Sequence, residues 1–439
     1  MSASPNQQLL PLTARTNTDG YLEIGGCDVV ELARTYGTPL YIVDELTVRT
    51  ACQQYREGFR QFYQGDSLVL YASKAWNCLA LCALVHSEGL GIDAVSHGEL
   101  YTAVQAGVKG DRLYVHGNNK SLEEIKYALS VGATIVVDNW QELKILGSWH
   151  QPVRLLLRIT PGIECHTHEY IRTGHLDSKF GFDPTEIEQV FAFVSHSPHL
   201  HCVGLHAHIG SQIFELQPHR DTAQVMAQWF NLARSKYQLQ FTELDIGGGL
   251  GIRYVESDDP PSIKEWVAAV SESITTAFPS QGLPLPKLLC EPGRSIIGNA
   301  CVTAYTVGSI KTVPDIRTYV AVDGGMSDNP RPITYQSQYR AVIANRLHAP
   351  LKQTVTIAGK HCESGDILIK DIALPECYVG DTLVVLATGA YNYSMASNYN
   401  RIPRPAGVLV GQGQSELILR RETSEDLLRQ DCLPDRLRL

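Results

Sequence analysis

The chain has 439 residues, 44% hydrophobic and 19% charged, with a formal net charge of −9. That length exceeds one ordinary core and predicts about three domains or two large ones, while the composition excludes a disordered chain. An acidic balance without a long basic run argues against DNA or RNA, and no stretch of about 18 uninterrupted apolar residues offers a membrane span.

In chain order, the N-terminal MSASPNQQLLPLTART lacks the basic and apolar regions of a secretory signal. Its few acids and several Ser/Thr leave organelle targeting open. Eleven cysteines, an odd number without a CxxC pair, fit a reducing compartment and hence the cytoplasm. Cys78 and Cys82 read as core thiols. From about residue 46, strand-like runs occur at 68–73, 91–96, 112–117, 134–138, 153–160, 201–209, 242–248 and 287–293. Helix-like segments at 98–107, 121–132, 185–196 and 263–278 lie between them, the second opening on a Ser121/Glu124 capping box.

Eight strands alternating with helices predict a parallel (β/α)8 TIM barrel over residues 45–297, whose chemistry belongs at the C-terminal ends of the strands. Lys74, Asp93, His116, Arg158, His208, Gly247 to Gly249 and Glu291 all fall there. After residue 297 the pattern turns to strands at 302–310, 318–325, 377–388 and 406–413. These predict a β-sandwich or β-barrel domain over 298–439, completed by residues 1–44 with GYLEIGG and TPLYIVD.

The candidate residues supply complementary chemistry. Lys74, ending the run LVLYASK, is placed to serve as a Schiff-base amine, although a lysine after a strand is ordinarily a solvated charge. Gly247, Gly248 and Gly249 follow TELDI, where glycines let backbone N–H groups converge on a phosphate; a tight turn is the alternative. Ile252 occupies the last glycine position of GxGxxG, which disfavours a dinucleotide fold. Glu291 in EPGRS suits the nitrogen of a pyridine ring, and Arg294 offers a fork for a carboxylate or phosphate. Each of these is otherwise an ordinary ion-pair residue. His206 and His208, two apart, would share one strand face and could ligate a metal, but completing ligands are not evident and HTHE (166–169) reads as loop. Ser211 suits a phosphate or a helix cap. Cys362 and Glu363 stand at a glycine turn, and Arg331 follows the turn-rich DGGMSDNP.

Together, YASKA, DAVSHGEL, HGNNKS, YIRTGHLDSKFGF, GLHAHIGSQ, DIGGGLGI, EPGRSI, VDGGMSDNPRP, CESGD and GAYNYSMASNYN resemble, in order and through most of the chain, the diaminopimelate decarboxylases. The resemblance implies an alanine-racemase-like barrel plus a β-domain, pyridoxal 5'-phosphate as cofactor, and a homodimer with shared active sites. It implies that meso-diaminopimelate is converted to L-lysine and CO2, with no metal. By resemblance, Lys74 carries the cofactor, His208 stacks on its ring and Glu291 pairs with its nitrogen, Asp93 being a further cofactor residue. Ser211, Gly247 to Gly249 and Tyr391 hold the phosphate. Arg294, Arg331, Tyr335, Tyr391 and Glu363 bind substrate, Glu363 at the distal ammonium, and Cys362 of the partner subunit donates the proton. Residues 173–181 resemble an active-site loop. An ornithine or arginine decarboxylase on the same scaffold is the alternative, disfavoured because its substrate has no distal carboxylate for Arg331. A racemase would need two bases across the substrate, and a non-catalytic binding protein has no use for Lys74 and a phosphate loop.

Overall fold

The computed structural model describes residues 3–149, 151–163 and 178–438. It divides into two compact units, one of residues 1–8 and 48–298 and the other of residues 9–47 and 299–439.

The first unit is a closed, all-parallel barrel of β1 (Ser67–Ala72), β2 (Gly91–Ala94), β3 (Leu113–Val115), β4 (Thr134–Val137), β5 (Val153–Arg158), β6 (Leu200–His206), β7 (Glu243–Asp245) and β8 (Lys287–Cys290). The expected eight strands are all present. Their alternation turns Leu68, Leu70, Tyr114, Val136, Leu156 and Leu289 into a packed interior cluster. Apolar filling of this kind makes the barrel a solid core and confines polar chemistry to its rim. The cross-strand contact of β6 with β7 is exceptionally close. A Cβ at Gly204 would lie 1.7 Å from the carbonyl oxygen of Glu243, and the β5–β6 register shifts between Cys202 and Gly204.

The helices after the strands begin at side-chain caps. Ser96 accepts from the amide of Glu99 and Asn139 from that of Glu142, while Ser121/Glu124 and Ser262/Glu265 form reciprocal capping boxes. Helices Glu45–Phe62 and Gln217–Tyr237, the latter 21 residues long, were not among the segments read from sequence. Residues 1–8 were expected in the β-domain but group with the barrel. The reason is local: Asn6 Nδ2 donates to the carbonyls of Gly251 and Pro261, and Ser4 Oγ accepts from the amide of Ile263.

In the second unit, strands run in the order 367–374, 353–358, 317–322, 301–313, 40–44, 406–411 and 414–419. The thirteen-residue strand Cys301–Val313 organises them, pairing antiparallel with 40–44 at one end, with 317–322 at the other, and also with 382–385. Leu40–Asp44 is buried at every position because it lies between that strand and 406–411, so its run is continuously apolar up to Asp44. Leu22, Ile24, Leu40, Ile42, Val302, Val384 and Val408 share its core. A smaller sheet of 15–16, 22–24 and 27–28 and the helix Val29–Tyr36, capped by Asp28, complete the N-terminal part.

Candidate active site

Lys74 lies in the single turn Ser73–Ala75 that leaves β1, and it is half-buried. The turn is fixed by Ser73 Oγ, which donates to the carbonyl of Asp93 at the end of β2. Lys74 is electrostatically engaged with Asp93, Glu99 and His208. Thus the lysine is held among acids and imidazoles at the strand ends.

Glu291, immediately after β8, is the centre of the polar cluster. His206 Nε2 stands 3.2 Å from its Oε2 and His116 Nε2 2.7 Å from its Oε1, with the two imidazoles packed edge to face. Burial opposes ionisation of Glu291, but His116 and His206 outweigh it and hold the carboxyl well below its usual range. Asp245 is driven the other way, well above the carboxylate range, by burial and by Glu291. The consistent distribution is one proton on Asp245 and a negative charge on Glu291.

Burial also lowers His206 to about 4, with Glu291 opposing the shift. It depresses His208 well below its ordinary value, helped by Lys74 and Arg158. Both rings are therefore neutral near pH 7. His208 Nδ1 accepts from the amide of Gly248 at 3.1 Å, which places its proton on Nε2. His206 donates to Glu291 from Nε2.

The expected HxH pair is corrected here: β6 ends at His206, and His208 lies beyond it. His206 turns to Glu291, whereas His208 turns to the glycine loop. Among the described residues, His116, His206, Asp245 and Glu291 bring ligand-type atoms within 4.8 Å of one another. His208 is not part of that group. The guanidinium of Arg158 acts on Glu291, Asp93 and Asp245, supplying positive charge to the same carboxylates. HTHE (166–169) and residues 173–177 lie outside the described residues.

The glycine run is required for a reason the sequence reading missed. The amide of Gly247 is engaged with Asp245 Oδ1 and that of Gly248 with His208, so two of the three donors orient side chains. A Cβ at Gly248 would lie 2.3 Å from the carbonyl oxygen of Glu291, and Gly247 and Gly249 have φ of 64° and 118°. Beyond them, Ser211 Oγ accepts from Arg294 Nη2 at 2.9 Å, and Arg294 Nη1 donates to the Tyr254 hydroxyl at 2.6 Å. These residues form a cationic and hydroxyl pole beside the loop.

Pyridoxal phosphate fits this set. Asp93 Oδ1 is a buried acceptor without a hydrogen-bond donor among the described residues, and the buried Glu291 Oε1 faces His116 Nε2 at 2.7 Å. A ring N–H is the kind of donor that an ionised Glu291 requires, and the arginine–serine pole suits an anion.

Sequence reasoning assigned no role to Arg158, Asp138 or Tyr254. Arg158 is buried, stacks on Phe180 at 4.3 Å and approaches Asp138 at 3.6 Å, while Asp138 also accepts from the amide of Gly181. Strand-end position pointed to Arg158; nothing local pointed to Tyr254.

The remaining candidates lie in the second unit. Arg331 opens the short helix Arg331–Tyr335, is buried, and donates to the Tyr339 hydroxyl, which in turn donates to Asn392. Tyr391 next to Asn392 has φ of 70°, and Tyr335 is half-buried. Cys362 and Glu363 are exposed on a turn whose Gly365 adjoins Ile333 of the same short helix. Arg331, Tyr335, Cys362 and Glu363 are thus brought to one region of that unit.

A parallel barrel with a strand-end lysine, an ionised glutamate and a glycine loop defines a pyridoxal-phosphate class of enzyme. The pyridoxal-binding domain of pyridoxal-dependent decarboxylases matches residues 46–298. Diaminopimelate decarboxylase of Synechocystis sp. is 60% identical, over 99% of this chain and 95% of the relative. That of Bacillus subtilis is 47% identical, over 95% and 97%. The crystal structure of diaminopimelate decarboxylase from M. jannaschii with L-lysine superposes with a TM-score of 0.91 at 31% identity, covering 99% of this chain and all of the other. The chain belongs to the diaminopimelate decarboxylase family.

Gly248→Ala must displace the chain at the end of β8, because the obstructing atom, the carbonyl oxygen of Glu291, is backbone. Cofactor affinity, followed by absorbance titration, is expected to fall at least about tenfold with the barrel still folded, as for a lost hydrogen bond to a charged group. Parent-level affinity in that variant would contradict the packing role.

Proposed function

We propose that the protein removes one carboxylate of meso-2,6-diaminopimelate as CO2 and returns a proton to the same carbon, giving L-lysine. Bound at Lys74, pyridoxal phosphate supplies the sink for the electrons of the breaking carbon–carbon bond. The chain's own residues arrange that chemistry. Lys74 supplies the amine, Glu291 an anion for the ring nitrogen, and His208 a neutral imidazole whose orientation is set by Gly248. Asp93 is assigned to the same polar cluster. Ser211, Tyr391 and the loop Gly247 to Gly249 are assigned to the phosphate, the loop through Gly249, since the amides of Gly247 and Gly248 are engaged with Asp245 and His208.

Arg294, Arg331 and Tyr335, together with Tyr391, are assigned to substrate, and Glu363 to its distal ammonium. The observation that carries the substrate assignment is Arg331, a buried cation at the head of a short helix. A carboxylate is the complement its guanidinium calls for, and ornithine and arginine carry none at the distal end. Fixing the bond to be broken requires the substrate held at both ends, which two arginines and a glutamate provide.

Purified protein with meso-diaminopimelate and pyridoxal phosphate is expected to release CO2 and L-lysine, and Lys74→Ala to abolish both turnover and the absorbance of lysine-linked cofactor. Arg331→Ala should keep that absorbance but cost on the order of 2 to 5 kcal/mol in kcat/KM, the loss for a buried charge deprived of its partner. Turnover of ornithine or arginine without turnover of meso-diaminopimelate would overturn the substrate assignment.

We further propose a cytoplasmic homodimer in which Cys362 of the partner subunit donates the proton. Exposure of Cys362 on its turn supports this reading, since a proton donor enclosed by its own unit would be unavailable to another. Among the described residues, no helix is long and apolar enough to cross a membrane. Mixing inactive Lys74→Ala and Cys362→Ala chains should restore part of the activity, because one of the two sites in a mixed dimer is intact. Exchanged mixed dimers that remain inactive would exclude shared sites.

A further inference from the structure

Within the second unit, the turn bearing Cys362 and Glu363 is fastened by a buried pair that contacts solvent hardly at all. Asp366 Oδ2 lies 2.7 Å from His361 Nδ1 and also accepts from the amide of His361 at 2.9 Å, closing the turn on itself. Its Oδ1 accepts from the amide of Met326 at 2.6 Å. That second bond reaches a different segment, the loop that leads into Arg331. The amide of Lys360 donates to the carbonyl of Gly324 and strengthens the same junction.

The junction is sterically exclusive. A Cβ at Gly325 would stand 2.5 Å from the oxygens of Asp366, and one at Gly359 would stand 2.1 Å from Oδ2. Only glycines admit the carboxylate there. On the other side of the turn, the amide of Cys362 donates to Asn400 Oδ1 at 2.8 Å, and the His361 ring lies parallel to that of Tyr399, 5.9 Å away. His361 therefore has one ring edge committed to Asp366 and one face committed to Tyr399, within two residues of Glu363.

We infer that His361 and Asp366 are a positioning pair for the reaction: they fasten the Cys362–Glu363 turn to the loop before Arg331 and so hold Cys362 and Glu363 in the position from which the turn serves a shared site. Neither residue is placed to touch substrate, the Nδ1 edge of His361 and both carboxylate oxygens of Asp366 being taken up by each other and by the amides of His361 and Met326. The inference rests on the substrate roles proposed above for Arg331, Cys362 and Glu363. An imidazole suits the task because its Nδ1–H supplies a directed donor to a carboxylate, while its rigid ring cannot rotate away from Tyr399 without losing that bond.

The test uses the full chain with cofactor and compares His361→Leu, which removes the donor, with His361→Asn, whose amide restores a donor near Nδ1. The rate at which iodoacetamide alkylates Cys362, read by peptide mass spectrometry, reports the turn itself. His361→Leu is expected to speed that alkylation at least about threefold as the turn opens more often. It should also raise KM for meso-diaminopimelate about tenfold, as for one lost charge-assisted bond, with a smaller change in kcat and unchanged cofactor absorbance. His361→Asn should bring both quantities back to within about twofold of the parent. Parent-level alkylation and KM in His361→Leu, or no recovery in His361→Asn, would overturn the inference. If His361→Leu fails to fold, Asp366→Asn carries the test with the same expected directions, and parent-level values there overturn it equally. Full turnover in Cys362→Ala would instead overturn the proton-donor role, which the alkylation rate does not depend on.

Discussion

The negative charge on Glu291 is the constraint from which the barrel site follows. A carboxylate buried to this degree would ordinarily take up a proton, and it stays ionised only because His116 and His206 contact it and Arg158 acts on it from the β5 end. The surrounding acids adjust accordingly: Asp245 holds a proton and engages the amide of Gly247, and Asp93 is raised by burial against the pull of His116. Glu291 is thus the member favoured as the anion where three carboxyl groups converge. Replacing any member shifts the protonation of the rest, so single substitutions in this cluster cannot be expected to add.

The same cluster explains why the loop after β7 is built of glycines. Gly247 orients Asp245, Gly248 orients His208 and at the same time lies against the backbone of Glu291, and Gly249 needs a left-handed φ. Backbone amides that orient side chains are as valuable to the site as amides that bind a phosphate. The second unit uses a comparable device at Asp366, where one buried carboxylate gathers amides from two segments and glycines make room for it. Positional accuracy comes from buried carboxylates with several donors, which resist displacement because each lost bond strands a polar group.

Much of this organisation is legible in the sequence because it is periodic or locally signalled. The eight barrel strands announce themselves as short apolar runs between helical patterns, and Ser121 with Glu124 marks a helix start that the structure realises. Strands 353–358 and 367–374 are not signalled in this way. The second carries Lys370 and Asp371 in its middle, Asp371 with φ of 53°, so its alternation is interrupted by an irregularity that only the partner strand explains. The partition of duties between His206 and His208 was likewise hidden. A two-residue spacing implies one face only while the strand continues, and here the strand stops at the first histidine. Asp366 stood within CESGD without an assigned role, since its partners Met326 and His361 meet it only through the fold.

The charge on Glu291 is open to direct measurement through Glu291→Gln, which keeps the shape of the side chain and its contacts with the histidines but removes the ionisable group. The account predicts that cofactor still attaches to Lys74, seen by its absorbance, while kcat for meso-diaminopimelate falls by about a hundredfold or more, the scale on which lost electrostatic stabilisation of a reacting centre is felt. A Glu291→Gln protein that turns over within about twofold of the parent, well inside that scale, would contradict it.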